Sequence, residues 1–287
     1  VSTAAKGEFQ IVAAHTRSQA ELHAMTMEAF ADYLVGPFQI ALEQFPSFTG
    51  RQGIDLALSR VSVHDGVVGA YALTCPREEV GRWRLGVMAA IPVARGTGAA
   101  PALLDDFIER AGRHGLPEVE LECFAENERA LRLYRSRGFE EVFRLNGWKS
   151  PGLPEASRAS ASAREVRAVE RGAALAWLAD ANLRIRNLPF PSTDRSLAAQ
   201  PRPLTFWQSG NAMVAFSVVE GTPTQIHSLV DLDPSLAGAE ALAHAVRAAH
   251  PESFAPPTLR DDTGGAALGR AGFVPHGMSQ VLMTRAL

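Results

Sequence analysis

Ile91–Leu104, IPVARGTGAAPALL, sets two glycines behind an arginine and ahead of a run of small and apolar residues. The stretch reads as a strand that ends in a tight turn, Gly96-Thr97-Gly98, and opens a helix at Ala99-Ala100. The first backbone N–H groups of a helix have no acceptor inside it, and the helix dipole places roughly half a positive charge there. Glycine and alanine keep side chains out of the way, so the turn suits an anion such as a phosphate or diphosphate. Pro101 fits, because the first helical turn does not use its missing N–H.

Working outward, Arg84–Ile91 (RLGVMAAI) is the strand that leads into the turn, and the helix runs from about Gly96 to His114 and stops at Gly115. Asp55–Cys75 is two strands joined at Asp65-Gly66, a strong hairpin signal. Phe9–Ala14 is a short strand, and Ser18–Leu34 is a helix with Ser18 as N-cap and Leu22, Met25, Ala29 and Leu34 near one face. Gly36–Phe48, interrupted by prolines, stays unassigned. Glu118–Phe124 is a strand, Asn127–Arg137 a helix and Glu140–Trp148 a closing strand. The order β-α-(α)-β-β-β-α-β-α-β is an α/β arrangement, a mixed sheet with helices on its faces.

Lys149–Ala163 (KSPGLPEASRASASA) is rich in Ser, Ala, Pro and Gly without a hydrophobic period. It divides the chain into domains at 1–150 and 164–287, with 151–163 as linker. The second half repeats the outline weakly: a strand ending at Val169, a helix from Arg171, several short strands between Leu204 and Leu232, a helix at Gly238–His250 and a final strand at Ser279–Leu287. Ala130–Val142 matches Gly264–His276, each a short helix ending in Gly-Phe. Internal duplication with one drifted copy explains the match, and two unrelated helices stopping at glycine remain the alternative.

With 46% apolar and 21% charged residues and a net charge of −3, the 287-residue chain has the composition of a globular protein with no general attraction to nucleic acid or anionic lipid. Two cysteines, Cys75 and Cys123, imply no disulfide framework. There is no apolar signal segment in the first thirty residues and no run long enough to span a bilayer, so a cytoplasmic location is expected, as monomer or homodimer. The eight histidines lack metal-ligand spacing, and no metal is expected.

Three ligand classes use such a turn. A P-loop needs a lysine that is absent here. A dinucleotide fold wants G-x-G-x-x-G and an acid about twenty residues on; Gly96, Gly98 and Glu120 match, but Pro101 stands where the third glycine should. The third pattern, R/Q-x-x-G-x-G/A, is met at Arg95, Gly98 and Ala100. It is joined by N-x-x-A-x-x-L-Y-x-x-x-G-F at Asn127, Ala130, Leu133, Tyr134, Gly138 and Phe139. Together, over Phe9–Trp148, they resemble the GCN5-related N-acetyltransferases (GNAT), a family that binds acetyl-coenzyme A.

The resemblance implies two tandem acyl-CoA N-acyltransferase domains and a V-shaped slot between the strands flanking the turn. It implies that Met88, Ala89, Ala90 and Ile91 pair with the pantetheine arm and that Gly96, Thr97, Gly98, Ala99 and Ala100 hold the diphosphate, flanked by Arg95. A backbone N–H near Val87 or Met88 would polarise the acetyl carbonyl. Asn127 would orient the coenzyme or cap its helix, and Tyr134 would act as general acid toward the departing thiolate. The strand before the turn has no carboxylate, so the base stays open among Glu122, His64, Glu28, water, or an amine arriving neutral. The reaction expected is direct acetyl transfer to a small-molecule amine; a non-catalytic acyl-CoA sensor is the alternative. The second half lacks the turn motif and has Leu268 in place of Tyr134, so it is expected not to catalyse; core packing is expected for Phe206 and Trp207.

Overall fold

The computed structural model describes residues 9–152 and 165–287, so most of the expected linker lies outside the described residues. The fold is mixed α/β. Contacts divide the chain into two compact units, Val1–Glu122 with Asn127–Glu140 and Met283–Leu287, and Cys123–Glu126 with Glu141–Leu282. These differ from a simple division at residue 150. The strand that closes the first sequence half belongs almost wholly to the second unit, and the last five residues belong to the first.

The first unit holds β1 (Gln10–Ala13), α1 (Gln19–Ala29), α2 (Phe45–Arg51), β2 (Asp55–His64), β3 (Val67–Arg77), β4 (Arg82–Ala90), α3 (Ala99–Arg113), β5 (Glu118–Phe124) and α4 (Glu128–Ser136). Its strands stand in the order β1-β2-β3-β4-β5, antiparallel except for the parallel pair β4–β5. Asp65 and Gly66 both take positive φ, 50° and 80°, as a two-residue hairpin turn requires. Ser18 caps α1 through a capping box with Glu21. The helix ends at Ala29, earlier than its apolar pattern predicts, because Gly36 at φ 98° and a hydrogen bond from Phe38 N to Phe30 O turn the chain back. Leu34 is therefore exposed in a loop.

β4 carries one irregularity that positions the site. Leu85 pairs with Thr74 and Val87 with Leu73, so Gly86 is an inserted residue, a β-bulge. An extra residue inverts which face each later side chain takes. Before the bulge Trp83 packs on Phe107 of α3; after it Val87 and Ala89 pack into the opposite core of Leu22, Met25 and Tyr71, with α1. Met88 is thereby directed to the side of α4. A Cβ on Gly86 would come within 2.6 Å of Ile54 Cδ1, so a larger residue there would have to displace the end of that side chain.

The second unit holds β6 (Glu140–Lys149), β7 (Arg167–Val169), α5 (Arg171–Arg184), α6 (Asp194–Ala198), β8 (Thr205–Ser209), β9 (Ala212–Ser217), β10 (Thr224–Asp231), α7 (Ala237–Ala249), β11 (Ser253–Arg260), α8 (Gly265–Arg270) and β12 (Val274–Ala286). Strand order is β12-β6-β11-β10-β9-β8-β7, with β10–β11 parallel. The element order from β7 to β12 repeats that from β1 to β6. β11 has no counterpart in the sequence reading, because Pro256-Pro257 interrupts it; its pairing with β6 skips from Ala255 to Leu259. Phe206 is a buried core residue, and Trp207, half-buried, packs edge-on against Phe216 of the core at 4.9 Å. Among the described residues no helix is long and apolar enough to cross a membrane.

Candidate active site

β4 and β5 pair only from Arg82 to Leu85 against Glu118 to Leu121. At this closed end a charged ladder knits them: Arg82 meets Glu118 at 2.7 Å and Glu120 at 3.1 Å, Arg77 meets Glu120, and Arg84 meets Glu122. Burial works against the Arg77 guanidinium, but facing Glu120 more than offsets it and holds its pKa above the usual arginine value. Glu120 is fully buried, which removes it as the ribose ligand of a dinucleotide site.

Past Leu85 the β5-facing edge of β4 is open among the described residues. Ile91 N donates to Gly69 O at 2.9 Å, so the amides of Ile91, and by two-residue alternation Ala89 and Val87, face β3. Those of Met88 and Ala90 face the gap. Of the two amides singled out in the sequence, that of Met88 and not that of Val87 faces the gap.

The gap opens into a cleft of about 530 Å³, where Met88, Ala89, Ala90, Arg95, Gly96, Gly98, Ala100, Asn127 and Tyr134 come together. Ile91, Thr97 and Ala99 do not line it. Ile91 is a core residue, Thr97 Oγ1 donates to Ala94 O at 2.8 Å, and Ala99 is buried. Gly96 and Gly98 have φ of 83° and 97°, conformations that make glycine the natural residue. Two helix N-termini, those of α3 and α4, converge on the cleft. Asn127 caps α4, its side chain accepting from Ala130 N at 3.2 Å.

Tyr134 is 8% exposed, with its hydroxyl 4.0 Å from Met88 Sδ and its ring edge-on to Phe139. Arg95 points away from its expected part. Its Nη1 and Nη2 bind Asp32 at 2.6 and 2.7 Å, Nη2 also donates to Ala29 O and Nε to Ala90 O. That pairing holds the Asp32 carboxyl below, and the Arg95 guanidinium above, their ordinary pKa. Of the three base candidates none lines the cleft: Glu122 pairs with Arg84, His64 sits at a hairpin tip 3.4 Å from Asp65, and Glu28 is exposed on α1.

Sequence reading missed Asp32, Phe30, Tyr33 and Arg129, which also line the cleft. The first three lie in a loop without motif, and Arg129 is hidden in the variable part of a recognised one. Among the described residues no group of three or more His, Cys, Asp or Glu side chains is placed to hold a metal ion.

The corresponding positions of the second unit are filled by the chain itself. At the N-terminus of α7, Asp231 Oδ2 accepts from Ala239 N and Oδ1 from Asp233 N, both at 2.9 Å. Gly264, just before α8, packs so tightly on β10 that a Cβ there would come within 2.2 Å of Leu229 O. The Leu268 carbonyl is placed as that of Tyr134 is: Phe273 N donates to Leu268 O at 3.0 Å as Phe139 N donates to Tyr134 O at 3.1 Å. Leu268 is a core residue without a hydroxyl.

Residues 26–139 match the model of the acetyltransferase (GNAT) family. No curated protein matches the chain in sequence. Among solved structures, the fold is similar to a GCN5-related N-acetyltransferase from Sphaerobacter thermophilus, 18% identical, with a TM-score of 0.65 over 97% of this chain and 95% of that one. One from Anabaena variabilis is 15% identical with a TM-score of 0.67 over 97% and 72%. One from Kribbella flavida is 16% identical with a TM-score of 0.63 over 100% and 73%. Residues 26–139 thus match the acetyltransferase (GNAT) family, and the described chain shares the fold of solved GCN5-related N-acetyltransferases.

Proposed function

We propose that the protein transfers an acetyl group from acetyl-CoA to an amine by direct attack, with all the chemistry in the first unit. One observation carries this reading: the open edge of β4 runs straight into a cleft on which two helix N-termini converge. The residues fit the coenzyme. Bare amides at Gly96, Gly98 and Ala100 suit a diphosphate, and the N–H groups of Met88 and Ala90 face the gap, open to a pantetheine arm, while the Ala90 carbonyl is taken by Arg95.

When bound, acetyl-CoA supplies an activated acetyl thioester. Met88 N–H faces the gap and would donate to the acetyl oxygen as charge gathers there. Tyr134 O–H would deliver its proton to the leaving sulfur, in a site from which its own burial and Leu133 exclude water. Arg95, held by Asp32 and Ala90 O, fixes the turn that presents the amides.

In this reading the second unit is a degenerate copy that does not catalyse. Asp231 occupies the anion position of α7, the Gly264 segment fills the slot beside β10, and Leu268 replaces the acid. A non-catalytic acyl-CoA sensor is favoured by one observation, the absence of Glu122, His64 and Glu28 from the cleft.

Calorimetry with acetyl-CoA, NAD and ATP tests the ligand class. Binding of acetyl-CoA is expected, and tight binding of NAD alone overturns the reading. A panel of primary amines, read by thiol release, separates enzyme from sensor. Release with at least one amine is expected, and a protein that binds acetyl-CoA but acetylates none is a sensor.

A further inference from the structure

We infer that the acceptor is a monoamine carried on an aromatic ring, an inference that rests on the acyl-CoA reading above and names the substrate class of that site. The coenzyme reading uses β4, the glycine turn, Asn127 and Tyr134. The end of α1 and the loop after it supply Ala29, Phe30, Tyr33 and Leu34 to the same cleft, and none of these four has a part in holding the coenzyme. Two of them are aromatic. Phe30 meets Tyr33 edge-on at 4.9 Å and Phe38 at 6.2 Å, and Phe38 meets Phe48, which packs on the core, at 5.2 Å. The cleft wall is thus the outer end of an aromatic run that starts in the core. Leu34 is 40% exposed beside it, apolar surface that a ligand in the cleft would cover.

The wall is built before a ligand arrives. Tyr33 N and Phe38 N both donate to Phe30 O, Gly36 N donates to Tyr33 O, and Arg95 Nη2 ties the loop back through Ala29 O. A surface already fixed costs a bound ring little ordering, and edge-to-face contact with Phe30 and Tyr33 adds to the area it buries. Charge decides against a polycation. Asp32 is the one carboxylate that lines the cleft among the described residues, and both its oxygens accept from Arg95, at 2.6 and 2.7 Å. Arg129 also lines the cleft, so one carboxylate stands against two guanidiniums. A second ammonium on the acceptor would enter a positive site whose single counter-charge is engaged. A monoamine attacks as the neutral amine and brings no other charge with it.

The test compares phenethylamine, ethylamine and spermidine with the full chain and its Leu34→Ala and Leu34→Glu variants. Calorimetry reads binding of each amine to the protein loaded with coenzyme A, and thiol release from acetyl-CoA reads kcat/KM. Phenethylamine should bind and react at least about tenfold better than either other amine. Leu34→Ala should weaken phenethylamine severalfold. Leu34→Glu should weaken it about tenfold and improve spermidine, while the dissociation constant of coenzyme A stays within about twofold. Ethylamine or spermidine matching phenethylamine, or Leu34→Glu leaving the order of the amines unchanged, overturns the inference. So does a coenzyme-loaded protein that binds none of the three. The order of binding is read without transfer, so it holds apart from the choice between enzyme and sensor. A full chain that does not bind coenzyme A at all overturns the acyl-CoA reading and this inference with it, which is a different result.

Discussion

Tyr134 stands at the meeting point of the cleft and the core of the first unit. Its ring packs on Phe139 with centroids 6.0 Å apart, so a phenylalanine can fill the same space and keep the fold. Only the hydroxyl, 4.0 Å from Met88 Sδ, is lost. Tyr134→Phe should then lower turnover by about 10²-fold while leaving coenzyme affinity within about twofold, as expected for removing a general acid. Steady-state kinetics beside calorimetry check this, and unchanged turnover removes Tyr134 from the chemistry. Gly98 allows a second separation. Its φ of 97° strains any other residue, yet a Cβ there meets nothing within 4 Å. Gly98→Ala should cost about 1–2 kcal/mol of stability through backbone strain alone. Gly98→Glu should cost a similar amount but also abolish coenzyme binding, because it sets a carboxylate against the same amides. If both variants bind coenzyme alike, those amides are not the anion site. The part of Arg95 was not legible in the sequence, because its partner Asp32 lies 63 residues away in a loop that no pattern marks.

At the scale of elements, the slot exists because β4 and β5 are tied at one end and released at the other. The tie is the ladder of Arg77, Arg82 and Arg84 with Glu118, Glu120 and Glu122, and Glu120, shared by two guanidiniums, is its centre. Glu120→Gln leaves those buried cations short of a counter-charge, so it should destabilise the protein by about 3–5 kcal/mol, measured by urea unfolding. A loss under 1 kcal/mol would show that the ladder does not tie the strands. The turn, α3, β5 and α4 were legible because their signals are local: glycines with positive φ, caps and a 3.6-residue apolar period. The bulge at Gly86 was not, since one glycine in an apolar strand does not announce that every later side chain changes face. β11 was hidden by Pro256-Pro257, which a strand tolerates only by breaking its ladder. The helix stop at Gly272-Phe273 was legible in the sequence, whereas the bond from Ala239 N of α7 to Asp231 was not, because it depends on a fold already formed.

For the molecule as a whole, sequence halves and compact units are not the same objects. The first unit includes Met283–Leu287, where Met283 is fully buried and Leu287 N donates to Pro117 O at 3.0 Å. β6 from Glu141 onward counts with the second unit, although the sequence reads it as the last strand of the first half. A chain ending at residue 150 would therefore lack part of the unit that holds the cleft and carry a strand that belongs elsewhere. It should fail to unfold cooperatively and should not bind coenzyme. A milder lesion separates packing from gross truncation. Met283→Ala in the full chain empties a buried site and should cost about 2–5 kcal/mol in urea unfolding. Because this residue lies in the first unit and not in the cleft, coenzyme should still bind under conditions where the variant stays folded. Removing Met283–Leu287 altogether should lower the thermal midpoint further than the single substitution does. If residues 1–150 alone fold cooperatively and bind coenzyme with full affinity, the C-terminal segment contributes nothing to the first unit and the division at residue 150 is the energetic one.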